Sequence, residues 1–158
     1  MQQYQGQLSA TPGRIAIVAA RFNELVVKEL IAGAVDTLQR HGFAEQQLCL
    51  VRVPGAYEVP LACKWLAGSG RYAGLIALGC VIRGETPHFD FVAQAANSGL
   101  MQVSLESGLP IGFGVLTVEN LEQALARAGS KAGNKGSDAA LALLEQMSLA
   151  LQIKELAS

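Results

Sequence analysis

Residues 73–82, AGLIALGCVI, are apolar without a break. A strand with one wet face alternates apolar and polar side chains, so a run that is apolar on both faces must be covered on both. It is half of the roughly 20 residues that a membrane-spanning helix needs. It reads as a buried strand of a parallel sheet. The chain then changes character abruptly: VIRGETPHFDF (81–91) brings an Arg, a Gly, a Glu, a Thr, a Pro and His88, one of only two histidines.

The rest of the chain repeats the alternation. RIAIVAA (14–20) is a short β-branched run, and Leu25, Val26, Leu30, Ile31, Ala34, Val35 and Leu38 then recur at helical spacing over 24–41, stopped by Gly42. QLCLVRV (47–53) predicts a strand closed by Pro54-Gly55, and a helix follows over 57–67 up to the Gly68-Ser69-Gly70 turn. Residues 87–106 predict a helix with Phe91, Val92, Ala95, Ala96, Leu100 and Val103 on its inner face. PIGFGVLT (110–117) is a fourth strand, with Thr117 capping a short helix over 118–128. A loop, GSKAGNKGS (129–137), leads to a last helix over 137–154.

Strands joined by helices in this order, with right-handed crossovers, give an α/β fold. The expectation is a flavodoxin-like three-layer αβα sandwich around a four-stranded parallel sheet, one domain over 1–158 with residues 1–13 as an N-terminal extension. YQGQL (4–8) is left over and can serve as a further strand added to a neighbour's sheet. Ligands of such folds sit beyond the carboxyl ends of the strands. Those ends are Arg21-Phe22-Asn23, Pro54 to Glu58, Cys80 to His88, and Phe113 to Thr117.

Charge and composition narrow the class. Only 16% of the 158 residues are charged while 51% are hydrophobic, against roughly 25% charged in an average soluble domain. A chain so short of charge is expected to bury apolar surface against other copies; an alanine-rich, weakly charged monomer is the alternative. A net charge of −1 leaves no basic stripe for nucleic acid. Cys49, Cys63 and Cys80 form no C-x-x-C pair and sit in apolar runs, as reduced core cysteines of a cytoplasmic protein do. MQQYQGQLSATPGR lacks the basic-then-apolar pattern of a secretory leader.

Some motifs are decoys. GSGRYAG (68–74) precedes a strand rather than following one, and its spacing is wrong for a dinucleotide loop. GNKGS (133–137) lacks both the leading glycine of a phosphate loop and a strand before it. ARFNE (20–24) has no glycine and no hydroxyl run, which argues against a flavin or nucleotide cofactor. His41 and His88 have no acidic or cysteine partners at ligand spacing, so no metal is expected.

The VIRGETPHFDF stretch carries more. Thr86-Pro87 reads as a helix start, with Thr as cap and Pro at the first position. Free N–H groups there suit a phosphate, and Gly84 admits close approach. His88 can trade protons near neutrality; a solvated first-turn histidine fits the same residues. Phe113, between two glycines, suits either core packing or stacking on a flat ligand. Arg127, Lys131 and Lys135 form either a solvated face or an oxyanion clamp.

Taken together, ARFNE, VPGAYEVP (53–60), ALGCVIRGETPHFDFV (77–92), FGVLTVENLEQALARAG (113–129) and SKAGNKG (130–136) resemble the 6,7-dimethyl-8-ribityllumazine synthase family nearly end to end. The resemblance implies a cofactor-independent transferase of riboflavin biosynthesis. It joins 5-amino-6-(D-ribitylamino)uracil to 3,4-dihydroxy-2-butanone 4-phosphate. It also implies roles: Phe22 stacks on the pyrimidine with Asn23 beside it; Ala56, Tyr57 and Glu58 bind the ribityl chain; Cys80, Val81 and Ile82 line the heterocycle edge. Glu85 and Thr86 hold the butanone phosphate, and His88 relays protons. Phe113 and Arg127 come from the adjacent subunit, with Lys135 nearby. Members form pentamers, paired pentamers or sixty-subunit shells, and the compact SKAGNKG connection resembles that of shell formers, in which riboflavin synthase is a possible internal partner. Ala126 departs from a family pattern that places a carboxylate before the arginine. A lumazine or flavin receptor without activity would keep the same pocket; retention of both His88 and Arg127 favours the enzyme.

Overall fold

The computed structural model describes residues 1–158. Strands β1 (Ile15–Ala20), β2 (Leu48–Val53), β3 (Gly74–Ile82) and β4 (Ile111–Val118) form one sheet in the order β2-β1-β3-β4, and every pairing is parallel. The helices are α1 (Glu24–Arg40), α2 (Val59–Gly68), α3 (His88–Ser107), α4 (Leu121–Arg127) and α5 (Lys135–Leu156). Short 3-10 turns, Glu45–Gln47 and Ala56–Glu58, precede β2 and α2.

The two-faced apolar runs now have their reason. Ile15, Ile17 and Ala19 of β1, with Ile76 and Leu78 of β3, pack in a core shared with α1, α4 and α5. Ala16, Val18 and Ala20, with Leu75 and Ala77, pack in a second core shared with α2 and α3. The chain is thus the expected three-layer sandwich. Leu30, Leu143 and Leu144 are fully buried between helix and sheet, and truncating such a leucine to alanine costs about 2–5 kcal/mol.

Two glycines set how closely α5 lies on its neighbours. A Cβ on Gly136 would fall 2.0 Å from the Leu30 carbonyl oxygen, and one on Gly112 would fall 2.3 Å from that of Ala139. Gly112 therefore serves α5 on one face of β4, and Phe113 points to the other. Asn134 fixes the start of α5. Its Oδ1 accepts from the N–H groups of Gly136 (2.8 Å) and Ser137 (3.1 Å), and its Nδ2 donates to the carbonyls of Glu29 (2.9 Å) and Ala128 (3.2 Å).

Three helix starts differ from the sequence reading. β4 continues through Val118, and Asn120, not Thr117, caps α4 by accepting from the Gln123 N–H at 2.9 Å. α5 begins at Lys135 because Asn134 is its cap. Pro87 occupies the cap position of α3, and the Thr86 side chain makes no capping bond. Residues 4–8 pair with no strand of this chain. They lie along α5, where the Gln7 N–H donates to Ser148 Oγ (3.0 Å) and Gln152 donates to the Gln5 carbonyl (2.9 Å).

Candidate active site

The chain leaves β1, turns to β2 on one side, and returns through β3 on the other. The sheet's direction of winding therefore switches between β1 and β3, where such folds open a crevice. A cavity of about 720 Å³ lies there. The ends of β1, β2 and β3 and the first turn of α3 build it.

The β1 end supplies Phe22 and Asn23. Arg21 and Phe22 donate their N–H groups to the carbonyls of Val53 (2.7 Å) and Pro54 (3.0 Å), extending the β1–β2 ladder into the loop. Phe22 is left 73% exposed, a bare ring on the crevice wall. Asn23 has φ 61° and is the sole non-glycine residue with positive φ. Such a conformation costs on the order of 1 kcal/mol and persists where surroundings fix it. Here Nδ2 donates to the Cys80 carbonyl at 2.7 Å, pinning the β1 turn to the end of β3.

Below this turn sits a brace that sequence reading missed. Arg52 donates to the carbonyls of Ala19 (3.3 Å) and Ala20 (3.2 Å) and is ion-paired with Glu24 at the first turn of α1. Its hydrogen bond to Glu24 holds that carboxyl below its ordinary range. Arg52 stands opposite Ala19 in the β1–β2 register. That pairing depends on strand register, which the sequence pattern does not carry.

The β2 end supplies Pro54 to Glu58. Glu58 Oε2 accepts the Gly55 N–H at 3.0 Å, so the carboxylate is held in place. The β3 end supplies Cys80, Val81 and Ile82. Burial pushes the Cys80 thiol up to about 11, so at neutral pH it is a neutral, weakly nucleophilic group. Gly84, Thr86 and His88 complete the lining, with Phe89, Phe91 and Val92 from α3. Helical spacing put Phe91 in the core, yet it is 68% exposed at the crevice. Phe89, Val92, Ala96, Leu100 and Val103 form the inward face of α3, and Phe91 lies about 140° around the helix from Ala96.

Ten of the expected residues thus share one crevice: Phe22, Asn23, Ala56, Tyr57, Glu58, Cys80, Val81, Ile82, Thr86 and His88. Glu85 is exposed and outside its lining. Phe113, Arg127 and Lys135 lie elsewhere, around a smaller depression of about 460 Å³ along the outer edge of β4. Phe113 is 39% exposed there. Neither Arg127 nor Lys135 is ion-paired; Arg127 donates only to the Gln123 carbonyl of its own helix, at 3.2 Å. The crevice itself is lined by no lysine or arginine.

Sequence comparison gives one answer over this whole framework. The family described as 6,7-dimethyl-8-ribityllumazine synthase matches residues 12–150. The 6,7-dimethyl-8-ribityllumazine synthase of Nitratidesulfovibrio vulgaris (strain DP4) is 58% identical over 149 residues, 94% of this chain and 96% of that protein. Those of Desulfovibrio desulfuricans (52% over 148 residues, 94% and 95%) and Chlorobium chlorochromatii (52% over 153 residues, 97% and 99%) are similar along the same length.

Proposed function

The chain belongs to the 6,7-dimethyl-8-ribityllumazine synthase family, and from that premise we propose how its two surfaces divide the work. The enzyme condenses 5-amino-6-(D-ribitylamino)uracil with 3,4-dihydroxy-2-butanone 4-phosphate to 6,7-dimethyl-8-(D-ribityl)lumazine, releasing phosphate and water. The uracil 5-amino group attacks the ketone and water leaves, giving an imine. Phosphate is eliminated, the ribitylamino nitrogen closes on the remaining carbonyl, and a second water departs. Every step is a condensation or an elimination, without net oxidation or reduction. The chemistry asks for proton transfer, charge stabilisation at the departing phosphate, and two substrates held in register.

In this reading Phe22 stacks on the pyrimidine, with Asn23 beside it. Cys80, Val81 and Ile82 line the heterocycle edge through main-chain groups. Ala56, Tyr57 and Glu58 take the ribityl hydroxyls, and the held Glu58 carboxylate accepts from them. Thr86 and Glu85 lie at the butanone phosphate, and His88 carries protons between successive intermediates.

One observation carries the division. A substrate bears a phosphate, yet the crevice has no lysine or arginine in its lining. The unpaired Arg127 and Lys135, with Phe113, stand beyond the edge strand β4 of the same chain. A neighbouring copy that lays this edge over the crevice supplies both the cation and the second ring face. The low charged fraction, 16%, agrees with such burial between copies. The assembly is a pentamer, and pentamers build a sixty-subunit shell. No helix is long and apolar enough to cross a membrane.

The test follows lumazine absorbance with purified protein and both substrates near neutral pH. A rate above the spontaneous condensation is expected. Lumazine binding without acceleration would leave a receptor. Light scattering on the same sample reads the assembly, and an active monomer would overturn the shared site.

A further inference from the structure

The geometry points to Arg83 as the positioning residue of His88. This rests on His88 being the proton relay. Residues 84–88 make no side-chain hydrogen bond of their own, and Thr86 does not cap α3. The one backbone bond closing the turn runs from the Asp90 N–H to the Pro87 carbonyl, at 3.1 Å. Something else must place the first turn of α3.

Phe89 and Val92 pack against the core, and Arg83 makes the charged side-chain contacts of that turn. Its guanidinium lies over the Phe89 ring, 4.4 Å from the centroid, next in sequence to His88. The same group faces Asp90 Oδ1 at 3.6 Å and donates through Nε to Glu119 Oε2 at 2.8 Å. Its backbone N–H donates to the Val118 carbonyl at 2.9 Å. The first turn of α3 is thereby referenced to the end of β4 as well as to the GETP segment that joins it to β3. A planar guanidinium suits this work, since one flat group can stack, pair and donate in fixed directions; a lysine ammonium cannot.

These ion pairs are open to water, with side chains 43% to 62% exposed, and exposed pairs contribute little to stability. Arg83 should therefore matter for where His88 stands more than for whether the chain folds. Displacement of a reacting group by about 1 Å can cost about a hundredfold in rate.

The experiment is a double-mutant cycle on the assembled enzyme, with kcat, the KM of each substrate and the melting temperature read for each variant. Arg83→Gln is expected to lower kcat by about tenfold while leaving the uracil KM within about twofold and the melting temperature nearly unchanged. In the His88→Ala background the same substitution should change kcat by less than about twofold, because no relay remains to be positioned. Arg83→Lys should restore little. Equal losses in both backgrounds, or an unchanged kcat, would overturn the role of Arg83. So would a fall in kcat matched by a fall in melting temperature in both Arg83 variants. If His88→Ala itself runs at the wild-type rate, the relay assignment fails instead, and with it the premise.

Discussion

The crevice between β1 and β3 and the outer edge of β4 are built on different terms. In the crevice, side chains are tied across elements: Asn23 to the Cys80 carbonyl at 2.7 Å, Glu58 to the Gly55 N–H at 3.0 Å, Arg52 to the end of β1. Along β4 the charged groups have no such partners; Arg127 reaches only its own helix, and Lys135 pairs with nothing. The first region is organised before any ligand arrives, which reduces the ordering that binding must impose. The second has its cations unsatisfied and its aromatic ring half bare. A chain can finish the first surface by folding; under the proposed shared site, a neighbouring copy finishes the second.

Mixing subunits is the strongest way to break this contrast. Arg127→Ala should cut kcat/KM for the butanone phosphate by more than His88→Ala cuts kcat, the latter by roughly tens of fold because proton relay is only part of the barrier. If one copy supplies the crevice and the next the cation, refolding equal amounts of the two impaired variants together should restore about a quarter of the sites to full activity by random pairing. Activity equal to the mean of the two variants alone would place both residues in one chain's site.

Asn23→Ala tests the organised half by itself. It removes the bond to Cys80 and leaves a residue less suited to φ 61°. A stability loss of about 1–3 kcal/mol in urea melts is expected, together with weaker binding of the uracil. Unchanged stability would mean that the turn is held by Arg52 alone.

The smallest effect concerns the thiols. Burial pushes Cys63 up to about 12 and Cys80 up to about 11. Both pKa values are raised on folding, so the unfolded chain loses these protons first. Stability is then unaffected below about pH 9 and falls between about pH 9 and 12. Denaturant midpoints against pH read this directly, and Cys63→Ala should flatten the fall. At pH 8, iodoacetamide should leave Cys80 unmodified in the native enzyme.

The sheet and its order of elements were legible because continuous apolar runs have few places to go. Helix starts were less so. Thr86 and Thr117 look like caps in sequence, but a cap depends on where the strand or loop before it releases the chain, and β4 ran on to Val118, leaving Asn120 as the cap. Phe91 came out exposed because the inward face of α3 is set by Phe89, Val92, Ala96, Leu100 and Val103, and the sequence reading drew that face too wide. The crevice residues followed from topology, which gathers strand ends at one edge. Arg52 and Arg83 did not: their roles depend on register and on which loops meet, and neither is written in local pattern. The αL conformation of Asn23 was likewise invisible, being imposed by a partner 57 positions away.

Asn134 makes four hydrogen bonds from one amide, two accepted and two donated. Hydrolysis of the amide would replace the donating nitrogen by an oxygen of nearly identical size, turned towards the carbonyls of Glu29 and Ala128. No atom would move far, but two attractions would become repulsions, and the joint between α1, α4 and α5 would open under the lysine beside it. One amide thus holds three helices in an arrangement that a carboxylate of the same shape would repel.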